Sequence, residues 1–103
     1  MKNKIIYNKI IKLKEYLICE GFVIDGVFGS YARDEETDKS DVDILYHLED
    51  KFYEKYSGFT GFQKLDDIKK IISNKLEKKI DLAPKTNLSK TAQKYILKDI
   101  IYV

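Results

Sequence analysis

Asp41 and Asp43 are the residues whose type and spacing point most directly to chemistry. They stand one residue apart in Asp-Val-Asp-Ile, which alternates as a strand does, so both carboxylates are predicted to lie on one face. Two like charges this close raise each other's pKa unless a cation lies between them. Magnesium binds carboxylate oxygens and keeps positions open for water and phosphates. Taken alone, the pair fits half of a metal site or two charges on a solvent-facing strand equally well.

Asp81 is a second unusual aspartate, because it stands between apolar residues in Lys-Ile-Asp-Leu-Ala. Aspartate disfavours a strand, and burying its carboxylate is costly unless the group is paired or binds a metal. Two interpretations follow. Either Lys78 or Lys79 pairs with it, or it lies on a strand beside Asp41 and Asp43 and completes a cluster of three carboxylates.

The turn at Gly29 and Ser30 is the third feature with chemical potential. A glycine after a strand permits a sharp turn and the close approach of a ligand. Ser30 then offers a hydroxyl and a free N–H group at the start of a helix, where a phosphate can bind, and Arg33 follows one turn later. An ordinary helix-capping serine is the simpler explanation of this turn by itself.

The elements that must position these residues follow from hydrophobic spacing and breakers. The predicted elements are a helix at 4–20 ended by Gly21, a strand at 22–28 irregular near Gly26, a helical turn at 30–33, a surface loop at 34–40, a strand at 41–48, an irregular aromatic-rich segment at 49–61, a helix at 62–77, a strand at 79–83 stopped by Pro84, a helix capped by Asn87 or Ser89 and running to about 98, and an apolar tail at 100–103.

Composition limits the classes of protein that this chain can represent. With 103 residues, 44% hydrophobic and 35% charged, residues 1–103 are expected to form one globular domain. A formal net charge of +2 gives little support to a nucleic-acid-binding module. Cys19 is the only cysteine, and no signal peptide or membrane-length apolar stretch is visible, so the expected location is the cytoplasm.

The joint pattern is more specific than its parts. Val27-Phe28-Gly29-Ser30, ten further residues, Asp41-Val42-Asp43-Ile44 and a later Asp81 together resemble the polymerase-β nucleotidyltransferase superfamily. Gly-Ser-Tyr-Ala-Arg followed by Ser40-Asp41-Val42-Asp43-Ile44 is similar to the minimal nucleotidyltransferases, or MNT group. The resemblance implies an α/β (α+β) fold in which a small mixed β-sheet is flanked by helices.

The same resemblance implies an activity and a set of roles. Asp41, Asp43 and Asp81 would be catalytic and would hold two Mg²⁺ ions, while Gly29, Ser30, Arg33 and Ser40 would bind the nucleotide, ATP. MNT proteins are commonly antitoxins of HEPN-domain toxins, and the relatives suggest transfer of AMP to a toxin tyrosine. No nucleophilic side chain is required, so Cys19 is predicted to fill the core, and His47 to be a hydrogen-bonded strand residue.

Two departures and two alternatives accompany this interpretation. Many MNT proteins have glycine where this chain has Asp34, followed by Glu35 and Glu36, and these acids would weaken a nearby phosphate site or point to solvent. The aromatic residues at 52–62 match no known motif and could form a partner surface. The alternative functions are a non-catalytic antitoxin that only binds its toxin and a nucleotidyltransferase acting on an antibiotic or other small molecule.

Overall fold

The computed structural model describes residues 1–103, which form a four-stranded sheet flanked by helices. The elements in chain order are α1 (Lys4–Leu17), a 3₁₀ turn (Ile18–Glu20), β1 (Phe22–Phe28), α2 (Gly29–Ala32), β2 (Val42–Leu48), α3 (Asp50–Lys55), α4 (Phe59–Leu76), β3 (Ile80–Pro84), α5 (Lys90–Asp99) and β4 (Ile101–Tyr102). The strand order is β3-β2-β1-β4. Strands β2 and β3 are parallel, whereas β1 is antiparallel to β2 and to β4. The predicted fold class is confirmed.

The first helix and strand follow the predicted pattern closely. The Asn3 side chain caps α1 by accepting a hydrogen bond from the Ile6 N–H at 3.1 Å. Gly21 ends the helical stretch with a φ of +82°, a conformation that glycine adopts without strain. The register of β1 against β2 shifts between Ile24 and Gly26, which is the expected irregularity.

Alternation along β2 sends its side chains to two different environments. Residues at even numbers, such as Val42 and Ile44, point into the main core beneath α1 and α4. Residues at odd numbers point to the other face, where Leu45 packs against Phe28 and Ile96 of α5. Asp43 therefore lies on the α5 side of the sheet, outside the main core. None of the helices has the length and apolar character needed to cross a membrane.

The segment predicted to be irregular, 49–61, is instead mostly helical. It holds α3 and the first turn of α4, which begins three residues earlier than expected. Phe52 is only 1% exposed and contacts the Tyr56 ring at a centroid distance of 5.3 Å. The prediction was wrong because α3 is too short to show a helical period, and burial of one ring against the core holds it in place.

The chain's last two elements are also better defined than the sequence suggested. Ser89 rather than Asn87 caps α5, since its hydroxyl accepts a hydrogen bond from the Ala92 N–H at 3.1 Å. The apolar tail contains β4, whose residues Ile101 and Tyr102 pair with Val27 and Gly26. A two-residue strand has no periodicity of its own, so only the available edge of β1 defines it.

The prediction that Cys19 fills the core was wrong. Cys19 lies in the 3₁₀ turn after α1, its side chain is exposed, and its thiol hydrogen-bonds the Tyr16 carbonyl oxygen at 3.2 Å. The helical face that is buried carries Leu13 and Leu17, and the turn tightens directly after Leu17, which moves Cys19 to the surface.

Candidate active site

The parallel pairing of β2 with β3 brings two aspartates side by side. Asp43 and Asp81 are direct partners in the register of these strands. Asp81 is exposed rather than buried, because β3 is an edge strand of the sheet. The cost of burial that made Asp81 look unusual in the sequence is therefore small, and the side chain faces solvent beside Asp43.

Asp43 is the electrostatic centre of this group. Burial raises the pKa of Asp43 to about 6, and the negative charges of Asp81 and Asp41 and a hydrogen bond with Asp81 act in the same direction. The positive charge of Arg33 opposes them. A cation bound here would reduce the repulsion among the three aspartates and so stabilise the ionised form of Asp43.

Gly29 supports Asp43 from the neighbouring element. It is the first residue of α2, directly after β1, and has a φ of +73°. A methyl group at its Cα would overlap Asp43 Oδ2 and lie 3.1 Å from Asp43 Cγ. The missing side chain thus makes room for the carboxylate itself. From the sequence, Gly29 was expected to permit a sharp turn and the approach of a ligand. The contact adds a third role, which is to leave space for the Asp43 carboxylate.

Ser30 follows at the start of α2, where its side chain is half-buried. Helix α2 has only four residues, so its dipole contributes little to binding a phosphate. The groups that could bind a phosphate here are the N–H groups of the turn and the Ser30 hydroxyl. The short helix is terminated by Arg33, whose N–H donates to the Gly29 carbonyl oxygen at 3.1 Å.

The Arg33 guanidinium is held by two carboxylates rather than left free for a nucleotide. Its Nε lies 3.1 Å from Glu35 Oε2 and its Nη1 lies 3.3 Å from Asp99 Oδ2 at the end of α5. These contacts raise the pKa of Arg33, with Glu35 the larger cause. A guanidinium has five N–H donors, so two pairs do not exhaust it. Sequence reasoning missed Asp99, since only the fold brings it near Arg33.

Asp41 and Ser40 lie in the loop that enters β2. The Ser40 hydroxyl accepts a hydrogen bond from the Thr37 N–H at 2.9 Å, so it closes the turn before Asp41. The Val42 N–H donates to the Lys79 carbonyl oxygen at 2.9 Å, which ties the start of β2 to the start of β3. The loop therefore delivers Asp41 to the same end of the sheet as Asp43.

The carboxylates of the three acids after Arg33 lie against groups other than Gly29 and Ser30, although the Glu35 backbone N–H donates to the Ser30 carbonyl oxygen at 2.9 Å. Asp34 accepts a hydrogen bond from the Lys2 N–H at 2.6 Å, and Glu35 pairs with Arg33. Glu36 lines a cavity of about 300 Å³ next to α1.

Two other predictions about individual residues can be compared with the structure. His47 is a hydrogen-bonded strand residue as expected, since its Nδ1 lies 2.8 Å from Asp25 Oδ2 on β1. The aromatic segment divides into buried Phe52 and exposed rings, with Phe59 and Phe62 exposed by 77% and 74%.

No three acidic, histidine or cysteine side chains are already gathered into a complete metal site. The contact between Asp43 and Asp81 and the nearby charge of Asp41 nevertheless place hard oxygen donors at one end of two adjacent strands. Carboxylate oxygens are the ligands that Mg²⁺ prefers.

The raised pKa of Asp43 leads to a prediction about stability without metal. The neutral form stabilises the fold fully below the ordinary carboxyl pKa of 3.8, and this contribution is lost as the pH rises through about 6. Asp43→Asn should therefore stabilise the metal-free chain at pH 8 by about 1 kcal/mol after solvent screening is allowed for. Thermal unfolding should show a rise in Tm of roughly 5 °C at pH 8, and little change near pH 4.

The matched control for this measurement is Asp67→Asn, because Asp67 is exposed on α4 and forms no salt bridge. It should leave the Tm unchanged at both pH values. An Asp43→Asn variant that is less stable than the wild type at pH 8 would show that the ionised carboxylate is well accommodated.

Proteins with similar sequences point to one family. The family model for the nucleotidyltransferase domain matches residues 26–103. A protein of Methanocaldococcus jannaschii with the provisional name protein adenylyltransferase MJ0128 is 41% identical over 78 residues, which cover 75% of this chain and 71% of that protein. The protein adenylyltransferase MntA of Thermococcus cleftensis is 32% identical over 78 residues, covering 76% of this chain and 71% of the relative.

Two solved structures share the fold. A protein provisionally described as a minimal nucleotidyltransferase superimposes with a TM-score of 0.76 at 20% identity and covers 100% of this chain and 97% of its own. A toxin–antitoxin structure with AMP-PNP gives a TM-score of 0.66 at 21% identity, over 92% of this chain and 69% of that one.

Proposed function

The chain belongs to the nucleotidyltransferase domain family, and from that premise we propose that it transfers AMP from ATP, with magnesium, to a tyrosine hydroxyl of a HEPN toxin and so acts as its antitoxin. The observation that carries the proposal is the side-by-side placement of Asp43 and Asp81 against the Gly29 turn. In this proposal residues 1–103 act as one catalytic domain.

The proposed metal ligands are Asp41, Asp43 and Asp81. Their chemistry fits Mg²⁺, because they are hard oxygen donors. Burial and then repulsion among them raise the pKa of Asp43, and a divalent cation would offset that repulsion. When bound, two Mg²⁺ ions would neutralise triphosphate charge and lower the pKa of the acceptor hydroxyl.

The Gly29–Ser30 turn is the proposed cradle of the triphosphate. Gly29 presents backbone without a side chain beside Asp43, so phosphate oxygens can approach closely. The Ser30 hydroxyl would donate to a phosphate oxygen and steady the leaving pyrophosphate. Ser40 and Arg33 support this site indirectly in our proposal, since Ser40 fixes the loop before Asp41 and Arg33 lowers the pKa of Asp43.

Asp81 is the proposed proton acceptor. Its exposed carboxylate lies at the open edge of the sheet, where a large acceptor can approach. The acceptor oxygen attacks the α-phosphorus, the bond from that phosphorus to the bridging oxygen breaks, and pyrophosphate leaves. The hydroxyl proton passes to an Asp81 oxygen and then to solvent.

The choice of a protein acceptor rests on the relatives. The two relatives described above are named protein adenylyltransferases, one of them provisionally, and a neighbour of the same fold is described as a toxin–antitoxin with AMP-PNP. Positioning the tyrosine beside Asp81 is then the main task of the protein, since aligned reactants account for much of the rate of such transfers.

The direct test is to mix the purified chain with the protein encoded by the adjacent gene, ATP and Mg²⁺, and to measure intact masses. We expect the partner to gain the mass of AMP only when all components are present, and peptide mapping should place it on a tyrosine. An unmodified partner that is folded and bound to this chain would contradict the catalytic proposal.

A non-catalytic antitoxin is the second candidate. It is favoured by Arg33, which is occupied by Glu35 and Asp99 instead of being free for a phosphate. A chain that only binds would neutralise its toxin in cells equally well after Asp41 and Asp43 are both changed to asparagine, whereas the catalytic proposal expects neutralisation to be lost.

A further inference from the structure

A groove between α1 and α4 lies on the face of the sheet opposite Asp43. It has a volume of about 430 Å³ and is lined by Lys12, Leu13, Tyr16, Ile71 and Lys75. Tyr16 is 66% exposed and Ile71 is 38% exposed, so two large apolar side chains border an open depression. The nucleotidyl-transfer chemistry proposed above uses none of these residues.

The two helices that form the groove differ in charge from the rest of the chain. Helices α1 and α4 together carry eight lysines and three acidic residues, a formal charge of +5. Because the whole chain has a net charge of +2, the remaining residues carry −3. Both charged residues that line the groove are lysines, and neither Lys12 nor Lys75 forms a salt bridge.

We propose that this groove binds an acidic amphipathic helix of the partner protein. Two helices packed side by side leave a groove that accepts the ridge of a third helix. Apolar side chains one turn apart on the partner helix would contact Tyr16 and Ile71, and flanking Glu or Asp side chains would pair with Lys12 and Lys75. The inference rests on the proposed function for the existence of a protein partner and adds where and by what chemistry it is held.

Placement on the far side of the sheet has a functional consequence. Asp43 lies on the α5 side by the alternation along β2, with Gly29 against it, so a helix seated between α1 and α4 leaves the nucleotide site open. Holding the partner and modifying it are therefore separable, and the groove retains the partner whether or not ATP is present.

The probes for the test are two fluorescein-labelled synthetic peptides of about 20 residues, long enough to form a helix. One carries leucines at helical spacing flanked by glutamates, and the other is identical except that lysines replace the glutamates. Fluorescence anisotropy with the full chain should show saturable binding of the acidic peptide, at least about tenfold tighter than that of the lysine peptide. Added salt should weaken it.

Substitutions then locate the binding surface. Tyr16→Ser with Ile71→Ser should weaken binding of the acidic peptide by about tenfold or more, and Lys12→Glu with Lys75→Glu should reverse the preference between the peptides. The matched control is Phe62→Ser, because Phe62 is more exposed than either groove residue and lies on the same helix, α4. It should bind as the wild type does.

Several outcomes would overturn the inference. They are no saturable binding of the acidic peptide, equal affinity for both peptides, and weaker peptide binding in Phe62→Ser but not in the groove variants. Displacement of the bound acidic peptide by a single-stranded oligonucleotide as readily as by unlabelled peptide would also overturn it. Circular dichroism checks that each variant is folded, and ATP affinity should match the wild type in all of them. A wild-type chain that binds the peptide but not ATP would contradict the proposed function while leaving this inference intact.

Discussion

Asp43→Asn is expected to reduce nucleotidyl transfer by at least about 10³-fold, a loss of about 4 kcal/mol of transition-state stabilisation. The substitution preserves the shape of the side chain and removes its charge. Asp43 is paired with Asp81 across the two strands and lies against Gly29, so it contacts both the proposed metal ligands and the proposed phosphate-binding turn. Steady-state transfer of AMP with ATP and Mg²⁺ saturating is the measurement.

Asp67→Asn is again the matched control, since it removes an exposed charge that has no ion-pair partner and should leave the rate unchanged. The Asp43→Asn variant should also be more stable than the wild type without metal at pH 8, so a loss of activity cannot be attributed to unfolding. A variant that keeps more than about a tenth of the activity would remove Asp43 from the catalytic group.

The elements with a strong local pattern were predictable from the sequence. Helix α1 has apolar residues at helical spacing over several turns, and β1 is a nearly continuous apolar run, with a glycine between the two. The local preference of each segment therefore agrees with the burial that the fold gives it. Strand β2 was predictable because Asp43 alternates with apolar residues, but the strand begins at Val42, so Asp41 lies in the preceding loop and not on the strand as predicted.

The parts that the sequence did not reveal depend on contacts between distant segments. Strand β4 exists because β1 has a free edge, and α3 exists because Phe52 is buried; neither signal is local. The exposure of Asp81 depends on the position of β3 at the edge of the sheet, which strand order alone decides. The pairing of Arg33 with Asp99 joins residues that are 66 positions apart.

The candidate site shows the same division. The residues in it, whose roles stay predictions, were predicted from the joint spacing of Gly29-Ser30 and Asp41-Val42-Asp43. Their mutual geometry was not, since the contact between Gly29 and Asp43 requires β1 and β2 to be neighbours in antiparallel register.

Gly29→Ala is the second substitution for which we expect a large effect. A methyl group at this position would overlap Asp43 Oδ2, so either the carboxylate or the turn must shift. A displacement of about 1 Å in a positioned catalytic group can cost about 10²-fold in rate, and we expect a loss of at least this size. The measurement is AMP transfer together with ATP affinity in the presence of Mg²⁺.

Gly58→Ala separates the steric effect from backbone strain. Both glycines have positive φ, +73° at Gly29 and +60° at Gly58, so alanine should lower the stability of either variant by about 1–3 kcal/mol. Nothing lies within 4 Å of the added methyl group at Gly58, whereas Asp43 occupies that space at Gly29. Similar falls in Tm with a loss of activity in Gly29→Ala alone would therefore assign the effect to the displaced carboxylate. Equal losses of activity in both variants would instead assign it to strain, and would mean that the turn does not position Asp43.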